Sequence, residues 1–396
     1  MRILHLISSL DPAGGGPQMV AMRLAAAQAN LGQQVSILSY ETPQANQRIT
    51  TTLRETPHGN LITPQYLPPM TRAEQFLGTA ARKQMDRFLV GVDFVHMHGV
   101  WEQLLKVAAS AASRLGVPYA IVPHGMLDPW SLSQKKFKKK LALAMGVRQM
   151  LGRAAFLHVL NEDEKRLIEP LGLRCPMEVI PNGIFLEELR DLPPAGSFYA
   201  ANPQLNGRPY ILFLSRLHYK KGLDYLADAF AILAQKNATA QLVVAGPDGG
   251  AREPFVQQIA SKNLRQRVHI VPPLYGKDKW AALLDAACFC LPSRQEGFSM
   301  AILESLACGV PAVISQSCHF PEVQQSGAGF VLPLQADAFA DALQRVLEDA
   351  DLRQRMGSAA RELATTRYTW HAVAEQTLHA YARFGKTLTS ANRPGG

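Results

Sequence analysis

Two glutamates with seven residues between them, Glu296 and Glu304, are the side chains best placed to do chemistry. They lie in Pro292-Ser-Arg-Gln-Glu-Gly-Phe-Ser-Met-Ala-Ile-Leu-Glu-Ser-Leu-Ala-Cys-Gly-Val-Pro311. The flanks fix their setting. Cys288-Phe-Cys-Leu291 and Ala312-Val-Ile-Ser315 are short apolar runs that read as buried strands. Ser299 to Cys308 between them reads as a helix, with Ser299 at the N-cap and Gly309 at C′. Glu296 then falls in the strand-to-helix turn and Glu304 inside the helix. The N–H groups of Gly297, Phe298 and Ser299 stand at the positive end of the helix dipole and suit an anion. Gly297 lets a ligand approach the backbone closely. A carboxylate on each side can accept hydrogen bonds from neutral hydroxyls. Together these describe a site for a ligand with an anionic middle and hydroxyls at both ends, the shape of a nucleotide sugar. Either glutamate taken singly reads more readily as an ordinary first-turn or mid-helix acid; the combination carries the functional reading.

Cations and glycines add to this. Tyr210 to Ser215 reads as a strand, followed by Arg216-Leu-His-Tyr-Lys-Lys221-Gly222 and a helix from Leu223 to Lys236. Arg216 at the strand end and Lys221 at the next helix start can converge on one phosphate-sized site, the first as a rigid fork and the second as a mobile point charge. Two cations in a loop are otherwise ordinary surface. In the first half, Arg2 to Ile7 reads as a strand, Asp11-Pro-Ala-Gly-Gly-Gly-Pro17 as a loop and Gln18 to Leu31 as a helix. That layout also aims backbone N–H groups at an anion. It is not GxGxxG, and no acid follows at the spacing a nicotinamide cofactor requires. His124 ends the strand from Tyr119 and precedes Gly125. His96 and His98 alternate along another strand without a third ligand nearby, which favours buried or cleft-lining histidines over a metal site. Asp349-Ala-Asp351 resembles a metal motif but joins two helices with no strand before it, so it is set aside.

The Glu-(seven)-Glu signature, the Ile180-Pro-Asn-Gly183 run and the Arg216-Leu…Lys221-Gly222 element resemble family 4 (group 1) retaining glycosyltransferases of the GT-B fold, over nearly the whole chain. The resemblance implies site roles. Arg216 and Lys221 would bind the donor diphosphate, Glu296 the hydroxyls of the transferred sugar and Glu304 the ribose. The N–H groups of Gly297, Phe298 and Ser299 would face the phosphates. Tyr275, in Pro273-Leu-Tyr-Gly276, lies in the stretch that holds the nucleotide base, largely through backbone atoms. Gly15 and Gly16 belong to the loop that closes over donor phosphates and acceptor, and His124 contacts the donor sugar near the reacting centre. The residues implied in catalysis are His124, Glu296, Arg216 and Lys221. No metal and no cofactor is implied; a UDP- or GDP-linked sugar serves as co-substrate. Two departures stand out. Ser215 replaces the usual glycine before the arginine, and His319-Phe320 replaces a Gly-Gly pair, which bears on sugar specificity.

The expected fold class is α/β, GT-B: two doubly wound Rossmann-like lobes, each of six strand–helix units, facing across a cleft. Residues 1–185 form the acceptor-binding lobe, joined by a returning helix at 370–385. Residues 186–206 form a hinge and 207–366 the nucleotide-sugar-binding lobe. Residues 46–72 are expected as loop with at most one strand, Arg72 to Val90 as helix, and the tail from Leu388 as disordered.

Size and composition are consistent with this. The chain has 396 residues, 47% of them hydrophobic, enough for two sizeable cores. It carries 41 Lys+Arg against 32 Asp+Glu. Residues 1–190 hold 21 and 15 of these, so most of the +9 excess lies in the first half. Five cysteines show no disulfide framework, which fits a reducing, cytoplasmic setting. The N-terminus reads as a first strand and not as a signal peptide, and no apolar run reaches the length of a spanning helix. Lys135 to Lys140, broken only by Phe137, reads as a solvated helix face or as a basic, partly apolar helix held at an anionic membrane. No nucleic-acid reader motif is present. The expected activity is retaining transfer of a hexose from a nucleotide-diphosphate sugar to a glycan or lipid-linked glycan, in surface polysaccharide assembly. The alternatives are a nucleotide-sugar 2-epimerase on the same fold and a non-enzymatic nucleotide-sugar or carbohydrate-binding protein.

Overall fold

The structure, a computed structural model, describes residues 1–391; for 386–391 it describes the backbone alone. The chain divides into two compact units. Residues 1–182 and the final helix make the first, and residues 183–369 the second.

The first unit is built on β1 (Arg2–Leu6), β2 (Gln34–Tyr40), β3 (Thr63–Leu67), β4 (Phe94–His98), β5 (Tyr119–Val122), β6 (Phe156–Val159) and β7 (Met177–Val179). They form one parallel sheet in the order β3-β2-β1-β4-β5-β6-β7. The sheet thus has seven strands where six strand–helix units are expected from sequence. The strand order reverses between β1 and β4. The loops leaving these two strands diverge, which opens a crevice at their C-terminal ends, the place where doubly wound sheets bind ligands. The glycine loop after β1 emerges there.

The second unit is built on β8 (Tyr210–Leu214), β9 (Gln241–Ala245), β10 (Val268–Val271), β11 (Cys288–Leu291), β12 (Ala312–Ser315) and β13 (Gly329–Leu332). These also form one parallel sheet, in the order β10-β9-β8-β11-β12-β13. The reversal falls between β8 and β11. All residues of β8, β9, β11 and β12 are buried, as helices covering both faces of a parallel sheet require. This unit and the first each have their own apolar core.

Four further expectations change. Residues 186–206, expected as a hinge, pack within the second unit. Asp285 accepts hydrogen bonds from Gly196 N at 2.6 Å and Phe198 N at 2.8 Å, and buried Phe198 lies 5.5 Å from the Tyr210 ring. The expected loop after residue 46 contains a helix, Asn46–Glu55, anchored by buried Ile49. The single helix expected from Arg72 to Val90 is two, Arg72–Leu77 and Thr79–Leu89, because Gly78 turns left-handed at φ +62°. The last helix runs from Trp370 to Ala391. The expected disordered tail is therefore helical from Leu388 to Ala391, and its remaining residues lie outside the described ones.

Candidate active site

The crevice of the second unit brings the loops after β8 and β11 together. Gly222 makes this possible. It adopts φ +71°, and a Cβ there would stand 1.8 Å from the carbonyl oxygen of Pro292. Only glycine lets the two loops approach so closely. Arg294 fastens them. Its backbone N–H donates to Lys220 O at 2.7 Å, and its guanidinium donates to both carboxylate oxygens of Asp224 at 2.8 and 2.5 Å and to Tyr219 O at 2.8 Å.

The result is a close pair between two expected site residues. Lys221 Nζ donates to Glu296 Oε1 at 2.6 Å and to Oε2 at 2.9 Å. Glu296 also accepts from the Ser293 hydroxyl. Burial by itself would raise the Glu296 carboxyl, but the charges of Lys221 and Lys220 and the hydrogen bonds from Lys221 and Ser293 outweigh it, and it sits below the ordinary glutamate value. Glu296 is thus an ionised, oriented acceptor. A lysine ammonium has three donors, so Lys221 keeps one for an anion beside the pair. Arg216 stands exposed on the same loop, its stem over Gly249, where a Cβ would come within 3.1 Å of it. Ser215, in place of glycine, is accommodated. The close approach there is made by Gly246, where a Cβ would lie 1.9 Å from Ser215 O.

The helix Met300–Ala307 starts where expected. Ser299 is at its N-cap with φ −86° and ψ 112°, but its hydroxyl makes no capping bond. No side-chain cap therefore occupies the first-turn N–H groups. Gly309 takes φ +74° past the helix end. Phe298 packs 5.2 Å from the ring of buried Phe320 and 6.0 Å from that of Tyr368. So Phe320, where the family has glycine, supports the turn, while His319 takes the left-handed φ of +53°.

Glu304 is held by a residue that the sequence reading does not single out. Lys279 Nζ donates to Glu304 Oε1 at 2.8 Å, and both side chains are largely buried. Lys279 belongs to the helix Gly276–Leu284, which Tyr275 precedes as N-cap. The Tyr275 side chain is 71% exposed. Nothing in the local pattern around Lys279 marks it. Its partner is 25 residues away.

In the first unit, Gly15 takes φ +111° as N-cap of the helix Gly16–Asn30, and a Cβ on Gly16 would meet nothing. The loop before it is braced by Asp11, which caps Ala13 N at 3.1 Å and pairs with Arg48 at 2.8 Å. His124 and Gly125 are both left-handed, at φ +53° and +72°. Buried Glu164 pins this turn by accepting from Gly125 N at 2.6 Å and Leu160 N at 2.7 Å. His96 and His98 are buried in the core. Among the described residues no group of three or more His, Cys, Asp or Glu is arranged to hold a metal ion. Asp349 caps the helix Ala350–Arg367 through Leu352 N at 2.8 Å, a purely structural role.

Of the five lysines of the basic segment, Lys139 turns inward. It donates to Ser131 O at 2.6 Å and lies 5.2 Å from the Trp101 ring, and burial lowers its pKa. The other four are exposed, as are Phe137, Leu141 and Met145, at 89%, 60% and 64%. No helix among the described residues is long and apolar enough to cross a membrane.

Two doubly wound parallel domains of this kind define the GT-B class of glycosyltransferase. HepE of Anabaena, solved in complex with UDP and glucose, superimposes over 97% of this chain and 100% of its own with a TM-score of 0.78 at 20% identity. Family models settle the lineage. "Glycosyl transferases group 1" matches residues 199–363 and "Glycosyl transferase 4-like domain" matches residues 15–183. The two matches together span most of the chain, which belongs to the group 1 (family 4) glycosyltransferases. Among relatives, the phosphatidyl-myo-inositol mannosyltransferase of Mycobacterium leprae is 26% identical over 93% of this chain and 92% of its own length. The alpha-D-kanosaminyltransferase of Streptomyces kanamyceticus is 31% identical over 46% of this chain, and that match spans about half of the relative, 47%.

Proposed function

We propose that this enzyme transfers a hexose, with retention of anomeric configuration and without a metal, from a UDP- or GDP-linked sugar to a glycan or lipid-linked glycan. The observation that carries the reading is the pair of lysine-held carboxylates, Lys221–Glu296 and Lys279–Glu304, on either side of the first turn of the helix Met300–Ala307. The turn's N–H groups, Arg216 and the remaining donor of Lys221 receive the diphosphate. Their attraction grows as the sugar–phosphate bond breaks and negative charge collects on the leaving group, so it lowers the barrier and not merely the ground state. Two resident cations then do the work that a divalent ion does elsewhere. Glu296 accepts hydroxyls of the transferred sugar, Glu304 those of the ribose, and the backbone around Tyr275 holds the base. His124 contacts the sugar. The loop with Gly15 and Gly16 closes over phosphates and acceptor. Retention follows if the acceptor attacks on the face the phosphate leaves, with the departing phosphate taking its proton.

A lipid-linked acceptor is supported by the mannosyltransferase relative, whose name places it on phosphatidyl-myo-inositol, and by the exposed segment around Phe137. Four exposed lysines beside Phe137, Leu141 and Met145 suit the inner face of an anionic membrane, with surface polysaccharide assembly as the setting. Donor selection is tested by a thermal-shift screen of nucleoside diphosphates, in which UDP or GDP should stabilise the protein and the others should not. The configuration of the product formed from the selected donor, read by NMR, then tests retention. An inverted product, or free epimerised sugar without transfer, refutes the reading.

A further inference from the structure

Four buried histidines of the first unit, linked through Gln28 and Tyr381, form one continuous hydrogen-bonded chain that ends at His124, and the transfer scheme uses none of the four. His5 is on β1, His96 and His98 on β4, His158 on β6, and His124 follows β5. The first four are 0–2% exposed. Register puts His5 beside His96, and alternation puts His98 on the same sheet face. The helix Gly16–Asn30 contributes Gln28 to that face, and the returning helix Trp370–Ala391 contributes Thr377 and Tyr381.

The direction of every bond follows from one carbonyl. His158 Nε2 is 2.7 Å from Ile180 O, which can only accept, so His158 carries its proton on Nε2. Its Nδ1 must then accept from His96 Nε2 at 3.3 Å, and His96 Nδ1 accepts from the Tyr381 hydroxyl. That hydroxyl accepts from Gln28 Nε2 at 3.0 Å, and the same amide nitrogen donates to Thr377 Oγ1 at 2.8 Å. Gln28 Oε1 therefore faces His5 Nε2 at 2.8 Å and accepts from it. His5 Nδ1 accepts from His98 Nε2 at 3.0 Å, and His98 Nδ1 from His124 Nε2 at 3.2 Å. Turning the Gln28 amide over breaks the scheme. The Thr377 hydroxyl is already committed to Ala374 O at 2.8 Å, and His158 would have to be charged in an apolar core. Burial lowers the pKa of all five histidines, consistent with a neutral chain.

We propose that His98, with His5, Gln28, Tyr381, His96 and His158 behind it, positions His124 as its Nε2–H tautomer, leaving Nδ1 as the acceptor for a hydroxyl of the transferred sugar. No hydrogen bond to His124 Nδ1 is formed among the described residues. The inference rests on the reading that His124 contacts that sugar. It gives the chain of buried imidazoles a purpose: His158, His5 and His98 each accept at Nδ1 from the next ring's Nε2, and His96 accepts there from the Tyr381 hydroxyl, so none of these four can turn over alone. It also ties the returning helix, through Tyr381, to the tautomer at the site.

The test is ¹⁵N NMR of the full-length enzyme labelled at histidine, in wild type, His98→Phe and His98→Gln. Wild-type His124 should show the Nε2–H pattern alone at neutral pH. His98→Phe keeps a flat ring but removes the acceptor, so His124 should populate the Nδ1–H form and kcat should fall about tenfold, the size of one lost hydrogen bond. His98→Gln, which can accept and donate in the same positions, should restore both. Should the phenylalanine variant not fold, the wild-type and glutamine spectra decide by themselves. A charged or Nδ1–H His124 in wild type, or a His98→Phe spectrum like wild type, overturns the proposal. A shifted tautomer with unchanged kcat instead overturns the placement of His124 at the sugar and leaves the lock standing.

Discussion

Acidification should unfold the first unit while the second is still folded. The perturbation is the protonation of the core histidines. His5 and His158 are held down to about 4, chiefly by burial, and His96 and His98 well below the ordinary value. Adding a proton to Nδ1 of His5, His96, His98 or His158 would also set it against its neighbour's donor. In the unfolded chain each titrates near 6.5. Between these values the unfolded state binds the proton and the folded state does not, so the stability is present above about pH 6.5 and is lost as pH falls. At pH 5.5 His5 and His158, held near 4, and His124, held near 3, together cost about 4 kcal/mol relative to pH 7.5, and His96 and His98 act in the same direction. Glu164 opposes this. Burial raises its carboxyl to about 7. It therefore takes up a proton in the folded state first and offsets about 2 kcal/mol at pH 5.5. Glu102, also raised by burial, acts in the same sense as Glu164, so the net loss is on the order of a few kcal/mol at pH 5.5 and grows by pH 4.5, against domain stabilities of about 5–15 kcal/mol. The second unit has no histidine in its fully buried core. Its Glu296 carboxyl is depressed, and so withdraws stability only below the ordinary carboxylate range. Pulsed hydrogen exchange after incubation at pH 7.5, 5.5 and 4.5, read peptide by peptide, measures this. Peptides of β1, β4, β5 and β6 should lose protection by pH 4.5, and those of β8, β9, β11 and β12 should keep it. Protection of the first set at pH 4.5, or loss in both units together, refutes the reasoning. His158→Gln should reduce the loss at pH 5.5 by about 1 kcal/mol.

Replacing Arg216 or Lys221 by Ala should each cost about 2–4 kcal/mol of transition-state stabilisation in kcat/KM, as removal of one oxyanion donor does; activity within threefold of wild type for both would remove them from the diphosphate site. Lys279→Ala should free Glu304 and raise KM for the donor more than it lowers kcat, because the ribose is held equally in ground and transition states; an effect confined to kcat contradicts the ribose assignment. Transfer should persist in excess EDTA, and a loss restored by Mg²⁺ or Mn²⁺ would show that the phosphates are held otherwise. Vesicles with anionic lipid should co-sediment wild type at low salt and release it near ~0.5 M salt, where charges are screened. A variant with Lys135, Lys136, Lys138 and Lys140 changed to Gln should stay in solution, and a wild type that never pellets points to a soluble acceptor.

What the sequence determined by itself was what is local. Apolar runs of four to seven residues marked most of the strands, because a parallel strand covered on both faces must be apolar throughout. The spacing from Glu296 to Glu304 placed one acid in a turn and one in a helix, because Ser299 and Gly309 bound that helix with residue types suited to its ends. The alternation of His96 and His98 gave them one face. The tertiary structure decided partnership. Lys279 holds Glu304 across 25 residues, Arg294 holds Asp224 across 70, and His5 meets His98 across 93. No window of sequence contains both members of such a pair, so neither periodicity nor spacing can show it. The same reason explains the other surprises. The stretch 186–206 packs down because Asp285 caps it from far along the chain, and Lys139 turns inward because Ser131 and Trp101 receive it. Five histidines scattered over the first 158 residues became one directed chain once parallel pairing laid β1 and β4 side by side, with β5 and β6 beyond, and two helices supplied Gln28 and Tyr381 over one face.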